Sequence, residues 1–163
     1  MTVLAGLAVP LSMAAPAVAA SHSAAFAYLT NADGTVSVVN LATHDLVKAI
    51  KVGSGLMGVA VNPGHSRAYV ANVGSDSVSV LDTNTNEVIK ALKVGHRPED
   101  VAVSPNGKHA YVANAGSNSM SVIDTNTNEV IKTLTVGKAP DGGAVGRWGT
   151  ACASPTGARA TCR

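Results

Sequence analysis

The 163-residue chain is long enough for one domain, and few of its residues are charged (13%) or aromatic (3%). Its formal charge of +2 arises in the last 17 residues, which carry three Arg and no acid, so the remainder has nine basic and ten acidic residues, a balance of −1. That balance excludes the electrostatic footprint of a nucleic-acid-binding protein, and we expect no nucleic-acid partner.

The N-terminal 20 residues resemble a secretory signal peptide. Residues 4–20 (LAGLAVPLSMAAPAVAA) are apolar, and they end in small residues with the spacing of a cleavage site after Ala19 or Ala20. The basic start of such a segment is missing, because no Lys or Arg precedes Lys48. We expect residues 1–20 to be a signal peptide and the chain to be exported (secreted, periplasmic or cell-surface). An uncleaved membrane anchor is the alternative.

A repeat of about 42 residues organises the chain. Ala68–Gly95 and Ala110–Gly137 are identical at 22 of 28 positions at an offset of 42 residues, and a looser copy begins at Ala27. A fixed period of this length indicates a repeat architecture. The repeats are expected to cover residues 25–145, in units of about 25–53, 57–95 and 99–137 with a stub at 141–145.

Each full unit contains four short apolar stretches, rich in Val, Ile, Thr or Tyr and bounded by turn residues. In the third unit these are Asp100–Ser104, His109–Asn114, Ser119–Asp124 and Glu129–Val136. Such stretches are typical of strands, and none has the periodicity of a helix. The unit therefore predicts a four-stranded antiparallel meander, of which the first unit lacks the innermost strand.

Both faces of these strands are partly apolar, which favours a sheet packed between two others. Strict alternation along the last strand places Val130 and Leu134 on one face and Ile131 and Thr133 on the other. A sheet with one face in water would alternate apolar and charged residues more cleanly. Stacked four-stranded sheets at this period predict an all-β chain of β-propeller blades, in preference to a solenoid or a sandwich.

Several motifs recur in each unit in the same order. A tetrapeptide stands as Tyr28-Leu29-Thr30-Asn31, Tyr69-Val70-Ala71-Asn72 and Tyr111-Val112-Ala113-Asn114, and a Val-Gly-x-x-Pro link stands at Val94–Pro98 and Val136–Pro140. The chain thereby resembles the YVTN-type, YncE-like β-propeller repeat family. The resemblance implies closed rings, commonly of seven blades, in mostly exported proteins without an established catalytic role. On that basis the chain holds about three blades of an incomplete ring.

The pattern stops after residue 145. Residues 146–163 (GRWGTACASPTGARATCR) contain the only Trp and both Cys, and show no strand pattern. We interpret this tail either as a natural extension, in which Cys152 and Cys162 form a disulfide loop, or as out-of-frame translation, which we favour because composition changes within a motif. Translating the DNA beyond residue 145 in its two other reading frames tests the out-of-frame interpretation, which requires further repeats to appear there. Three open blades are expected to be marginally stable or to self-associate.

The sequence contains no arrangement of residues typical of a catalytic site. Asp82–Glu87 and its copy Asp124–Glu129 begin like a calcium loop, but positions six and twelve lack the Gly and Glu that an EF-hand requires. A hairpin turn explains this motif better. Nucleophile-elbow, phosphate-loop and zinc-ligand spacings are missing from the sequence. We therefore expect no enzymatic activity, no cofactor and no metal site.

The candidate binding residues lie in the links that join one unit to the next. The link that begins at His96 enters an innermost strand, which in a propeller borders the mouth of the central channel. Its counterparts at Ser54–Met57 and Lys138–Asp141 differ in charge although the surrounding repeat is nearly constant. This pattern favours a binding surface, with ordinary loop drift as the alternative. The predicted ligand-binding residues are His96, Arg97, Glu99, Asp100, Lys138 and Asp141.

Two functions remain open from the sequence. The first is an exported, non-enzymatic propeller fragment that binds a protein or a cell-surface ligand, with membrane contact only if the N-terminal segment is uncleaved. The second is the remnant of a lactonase-like or quinoprotein-like propeller enzyme with its active site in the channel. Such a site draws ligands from several blades, and here one of three links carries a His.

Overall fold

The computed structural model describes residues 25–146 and 151–154, and these residues form stacked antiparallel sheets. The first sheet has the order β1-β2-β3, the second β4-β5-β6-β7 and the third β8-β9-β10-β11. The strands of the first two sheets are β1 (Phe26–Thr30), β2 (Thr35–Asn40), β3 (Leu46–Lys51), β4 (Leu56–Val61), β5 (Arg67–Asn72), β6 (Ser77–Asp82) and β7 (Glu87–Lys93). The remainder are β8 (Pro98–Val103), β9 (His109–Asn114), β10 (Ser119–Asp124), β11 (Glu129–Thr135), β12 (Gly142–Val145) and β13 (Ala151–Ser154).

The meander predicted for the third unit is confirmed, with small shifts at its ends. The inner strand β8 begins at Pro98, two residues before the predicted start, because its pairing with β9 continues past an irregularity between Pro98 and Asp100. The turns after β5 and β9 are single 3-10 turns, Val73–Ser75 and Ala115–Ser117. No helix in the described part of the chain is long and apolar enough to span a bilayer.

The tail contains a strand that the sequence analysis did not predict. Ala151–Ser154 forms β13, which pairs antiparallel with β12. The expectation that residues 146–163 hold no strand is therefore wrong for this segment. An edge strand offers a row of unpaired N–H and C=O groups, and a short extended segment pairs with it whatever its side chains. The predicted pairing of Cys152 with Cys162 lies outside the described residues, since Cys162 is not among them.

A β-bulge breaks the strict alternation predicted for the outer strand. Leu134 pairs with Met120 and Lys132 with Val122, but Val130 pairs with Ile123, so Ile131 is skipped. Because paired residues share a face, Val130 lies on the face opposite Leu134, and the prediction that they share one is wrong. The same shift occurs in the first two sheets. The bulge turns Val130 toward the second sheet, where it packs against the core.

Two apolar cores hold the three sheets together. The first core lies between sheets one and two and contains Val36, Val38, Ile50, Leu56, Ala68, Val70 and Leu81. The second lies between sheets two and three and contains Tyr69, Val78, Val80, Leu92, Val101, Ala110, Val112 and Ile123. Sheet two is thus covered on both faces. Full burial of each Val, Leu or Ile side chain in these cores stabilises the fold by about 1.5–3 kcal/mol.

The Asn of each tetrapeptide donates hydrogen bonds to side chains of the following strand. Asn72 Nδ2 donates to the hydroxyls of Ser77 (3.1 Å) and Ser79 (2.9 Å), both on β6. The equivalent Asn114 makes the same bonds to Ser119 and Ser121 on β10. These buried bonds explain why the tetrapeptide and the Ser-x-Ser strand recur together, because a buried polar group needs a partner.

The Tyr of the tetrapeptide joins neighbouring sheets. The Tyr28 hydroxyl donates to Asn86 Oδ1 (3.1 Å), and the Tyr69 hydroxyl donates to Asn128 Oδ1 (3.2 Å). Each Asn ends the turn before the outer strand of the next sheet and has a left-handed backbone, with φ of 54° and 52°. The tyrosine hydroxyl of one sheet is thus bonded to a turn of the next sheet at both boundaries.

Candidate functional site

The links between sheets lie at one end of the stack, against the 3-10 turn of the sheet that they enter. Ser54 and Gly55 accept hydrogen bonds from the N–H groups of Gly74 (3.1 Å) and Val73 (2.9 Å). In the next repeat, the His96 and Arg97 carbonyls accept from Gly116 and Ala115, each at 2.9 Å. The link backbone is therefore held in the same way in both repeats although the side chains differ.

Each link passes through a left-handed residue. The φ angles are 61° at Gly55, 50° at Arg97 and 44° at Ala139. Glycine adopts this conformation without steric penalty, whereas Arg97 and Ala139 adopt it at a cost of about 1 kcal/mol or more. The frame imposes the conformation through a side chain of the preceding turn: Asp76 accepts from the Arg97 N–H, and Asn118 accepts from the Ala139 N–H, each at 2.9 Å.

The second link carries a histidine–carboxylate hydrogen bond and an ion pair. His96 Nδ1 lies 2.9 Å from Asp76 Oδ2, and the Arg97 guanidinium donates to Glu99 Oε1 at 3.0 Å. The N–H of Arg97, and after it the His96 side chain, hold the pKa of Asp76 below its usual range. The side chains of His96 (77% exposed) and Arg97 (67% exposed) face solvent, so they are available to a ligand.

Asp100 lies apart from this cluster, between neighbouring inner strands. Its Oδ2 accepts a hydrogen bond from the Gly143 N–H of β12 at 3.1 Å. On the other side β4 approaches so closely that a methyl group at Gly58 would lie 2.8 Å from the Asp100 Cα. The carboxylate therefore joins β8 to β12, and the backbone at Asp100 lies against β4.

The six predicted site residues occupy three places along this end of the stack. His96, Arg97 and Glu99 lie together on the second link with Asp76, and Asp100 lies on the inner strand behind them. Lys138 and Asp141 are exposed on the third link, and neither forms an ion pair within the described residues. The sequence analysis did not predict a role for Asp76. A signal was present, because the equivalent residue in the next repeat is Asn118, and Asp and Asn side chains can both accept a hydrogen bond from a backbone N–H.

Comparison with known proteins identifies the scaffold. A family model described as a YncE-like β-propeller matches residues 45–151. The chain belongs to the YncE-like β-propeller family. The predicted family and the predicted fold, an all-β stack of incomplete propeller blades, are therefore confirmed.

Solved structures share this YncE-like fold. A chain of the Kuenenia stuttgartiensis hydrazine synthase is 31% identical, with a TM-score of 0.76 over 82% of this chain and 40% of that one. Two further structures show the fold alone. The dihydro-heme d1 dehydrogenase NirN is 15% identical, with a TM-score of 0.69 over 79% of this chain and 29% of that one. A functionally unknown protein from Desulfotomaculum acetoxidans is 17% identical, with a TM-score of 0.66 over 79% of this chain and 48% of that one. The YncE-like chain thus spans less than half of each. No protein of curated function matches it.

The Asp-Thr-Asn-Thr-Asn turns of the YncE-like blades use their carboxylates internally. Asp82 Oδ1 accepts the N–H groups of Asn84 (2.8 Å) and Thr85 (3.2 Å), and Asp124 does the same in the next blade. These bonds lower the pKa of both carboxyl groups. Within residues 25–146 and 151–154, no three His, Cys, Asp or Glu side chains converge as a metal site would need.

A groove of about 580 Å³ opens at the opposite end of the YncE-like stack, between the first two blades. It is lined by Phe26, Tyr28, Leu41, His65 and neighbouring small or polar residues, with no Lys, Arg, Asp or Glu among them. The charged side chains predicted to bind a ligand lie at the other end, so the links remain the better candidate site.

Proposed function

We propose that the chain is an exported, non-enzymatic propeller module that binds a protein or cell-surface ligand through the links at one end of its blades. One observation carries the proposal: the same hydrogen bonds hold the backbone of successive links, while their exposed side chains differ in charge. A rigid frame that presents variable side chains suits recognition, because little conformational entropy is lost on binding.

The charges on the links support a ligand that carries both signs of charge. The second link presents His96 and Arg97 beside Asp76 and Glu99, and the third presents Lys138 and Asp141. Both signs alternate over a short distance, which matches a polypeptide or a charged glycan carrying both signs better than a uniform polyanion. The charge balance of −1 outside the tail supports the same choice.

Binding to charged peptides tests this proposal. The probe is an array of immobilised peptides with alternating acidic and basic residues, together with heparin as a uniform polyanion. Replacing both His96 and Arg97 by Ala should weaken binding to the best peptide at least tenfold, about 1.4 kcal/mol. The control is Lys90→Ala, which removes an exposed charge on the outer strand β7. Equal losses in both variants, or preferential binding to heparin, would refute the proposed ligand class.

Export rests on residues 1–20, which lie outside the described part of the chain. The proposal requires cleavage after Ala19 or Ala20 when the natural gene is expressed in a secreting host. Mass spectrometry of the mature N-terminus measures this directly. An intact Met1 on a chain retained inside the cell would contradict export.

An enzymatic role is a second candidate, because the chain is 31% identical to a chain of a hydrazine synthase. On this view the three blades belong to a lactonase-like or quinoprotein-like propeller whose active site needs further blades. Elemental analysis and lactonase assays on a full-length relative separate the two candidates. A stoichiometric metal with turnover that depends on it supports the enzyme, and a metal-free relative that binds peptides supports the module.

A further inference from the structure

The groove between the first two blades has walls from both sheets. Phe26, Tyr28 and Leu41 line it from the first sheet, and His65 and Asn84 are among the residues that line it from the second. Its volume of about 580 Å³ is typical of small-molecule sites, which combine apolar walls with a few polar groups. The groove therefore has the size and the composition of a binding site for one small molecule.

Two apolar residues of the groove have polar equivalents at the next blade boundary, although the same strands and turns form both boundaries. Phe26 aligns with Arg67, and Leu41 aligns with Thr83. Phe26 is 38% exposed and Leu41 is 49% exposed. The blade architecture does not require large apolar side chains at these positions, because the second boundary forms without them. Contact with a ligand gives these exposed apolar side chains a role.

Hydrogen bonds hold both walls of the groove in place. In the second sheet the Thr83 hydroxyl donates to the His65 carbonyl, and the His65 N–H donates to the Asn62 carbonyl at 2.9 Å. In the first sheet the Leu41 N–H donates to the Ala25 carbonyl at 2.8 Å. Because these bonds fix the backbone on both sides, a ligand meets a preformed site and little conformational entropy is lost on binding.

The polar groups of the groove require a ligand that both donates and accepts hydrogen bonds. The single hydroxyl protons of Tyr28 and Thr83 are already donated, to Asn86 Oδ1 and to the His65 carbonyl. Both hydroxyl oxygens can therefore only accept a hydrogen bond from a ligand. Asn84 is exposed, and its carboxamide carries N–H donors. A ligand with several hydroxyl groups satisfies both kinds of partner, because each hydroxyl donates one hydrogen bond and accepts others.

The charge of the lining favours an uncharged ligand. The described residues that line the groove include no Lys, Arg, Asp or Glu. The carboxylate of Asp82 acts on Tyr28 from outside this lining, and it already accepts the N–H groups of Asn84 and Thr85. A charged ligand would lose hydration here without gaining an opposite charge, which is costly.

We propose that the groove binds an uncharged, polyhydroxylated ring, such as a neutral monosaccharide or the terminal sugar of a neutral glycan. Phe26 and Tyr28 are two residues apart on β1 and so lie on the same face, where the apolar C–H face of the sugar packs against their rings. The sugar hydroxyls donate to the oxygens of Tyr28 and Thr83 and accept from Asn84. This site is separate from the charged links, which lie at the other end of the stack.

Amide NMR of the full chain tests the site and the ligand class. Titration with glucose, galactose, mannose and N-acetylglucosamine should shift the Thr83 and Asn84 amide resonances, while their equivalents Thr125 and Asn126 stay unchanged. Cyclohexanol, a ring of similar size with one hydroxyl, should bind about tenfold more weakly than the best sugar, because most of the hydrogen bonds are lost. Glucuronate, which is charged, should also bind more weakly. No shift with any of the four sugars, equal shifts at both turns, or a preference for cyclohexanol or glucuronate would overturn the proposal.

Matched variants test the contacts. Asn84→Ala and Asn126→Ala remove the same side chain from the same turn of successive blades. Asn84→Ala should raise the Kd for the best sugar by about twofold to tenfold, the loss of one neutral hydrogen bond, whereas Asn126→Ala should leave it unchanged. Phe26→Ala should raise the Kd about tenfold, and Phe26→Tyr, which keeps the aromatic ring, should retain binding. Circular dichroism verifies that each variant is folded. Equal losses in the two Asn variants, or full binding by a folded Phe26→Ala chain, would contradict the proposed site.

Discussion

The tyrosine of the tetrapeptide acts across sheet boundaries and not within its own sheet. Tyr69 is fully buried, and burial raises the pKa of its hydroxyl, which donates to Asn128 on the next sheet. Tyr28 makes the corresponding bond to Asn86. The donor and acceptor are 59 residues apart in the Tyr69–Asn128 bond and 58 residues apart in the Tyr28–Asn86 bond. The sequence therefore shows that the Tyr and the Asn recur, but it does not show that they pair.

Replacing Tyr69 by Phe should lower the free energy of unfolding by about 1–2 kcal/mol, because the Asn128 carboxamide oxygen stays buried without its donor. The control is Tyr111→Phe, since the Tyr111 hydroxyl has no such partner within residues 25–146 and 151–154. That variant should change the free energy of unfolding by less than about 0.5 kcal/mol. Urea denaturation measures both, and equal losses would rule out the inter-sheet bond as the cause.

Asp76 should make the second link sensitive to acid. Its folded-state pKa lies below the unfolded value of about 3.9, so its stabilising effect is complete above that value and is lost as the pH falls through the folded pKa. Asp76→Asn keeps an acceptor for the Arg97 N–H, as Asn118 does for Ala139, but loses the charge.

The stability difference between the wild type and Asp76→Asn should therefore favour the wild type at pH 7 and shrink toward pH 3. Denaturation at several pH values measures it, and the other carboxylates titrate in both proteins and cancel. A difference that does not vary with pH would show that the carboxylate charge has no part in holding the link.

At the scale of strands, the ends of the strands could be predicted from the turn residues beside them, whereas the β-bulge could not. The turn residues around His109–Asn114 and Ser119–Asp124 placed both strands with their observed ends. Alternation failed at Ile131, because the bulge depends on pairing with β10 and leaves no unusual residue to mark it. The strand β13 escaped prediction for a related reason: its extended conformation comes from the edge of β12 and not from its own small residues.

The link charges were predictable from the sequence, but their arrangement was not. His96, Arg97 and Glu99 stood out because they vary against a constant repeat. The role of Asp76 depends on a contact 20 and 21 residues away, across two sheets. A single sequence does not indicate which residues 20 or 21 positions apart come into contact.

The close approach of a link to the 3-10 turn of the next sheet should make Gly95 sensitive to substitution. A methyl group at Gly95 would lie 2.7 Å from Asn114 Cγ and 2.8 Å from its Cβ, so Gly95→Ala should cost about 1–3 kcal/mol of stability by overpacking. Gly137 is its equivalent in the next repeat, and no atom of the described residues would lie within 4 Å of a methyl group added there. Gly137→Ala should leave stability unchanged or raise it by up to about 1 kcal/mol. Thermal or urea unfolding checks both, and similar losses would refute the steric explanation.

Across the whole molecule, stability should be highest in the middle. In the part of the chain that the structure describes, the second blade has an apolar core on each face, whereas the first and third each have one. In a stack where each unit contacts only its neighbours, the terminal units open first.

Hydrogen exchange at a concentration low enough to keep the chain monomeric should therefore show slower exchange in β5 and β6 than in the equivalent strands β1, β2, β9 and β10. Mass spectrometry after proteolysis resolves these strands, and equal protection in all three blades would contradict the prediction.

The near-identity of the second and third repeats also bears on how the chain finds its fold. The strands β5 and β9, and likewise β6 and β10, are so alike that β5 could pair with β10 and satisfy almost the same ladder. The correct pairing closes a loop of residues 73–76, whereas the incorrect one must close residues 73–118. The difference in closure entropy is about 2 kcal/mol. Chain connectivity, more than side-chain complementarity, therefore decides which copy of a strand each partner takes.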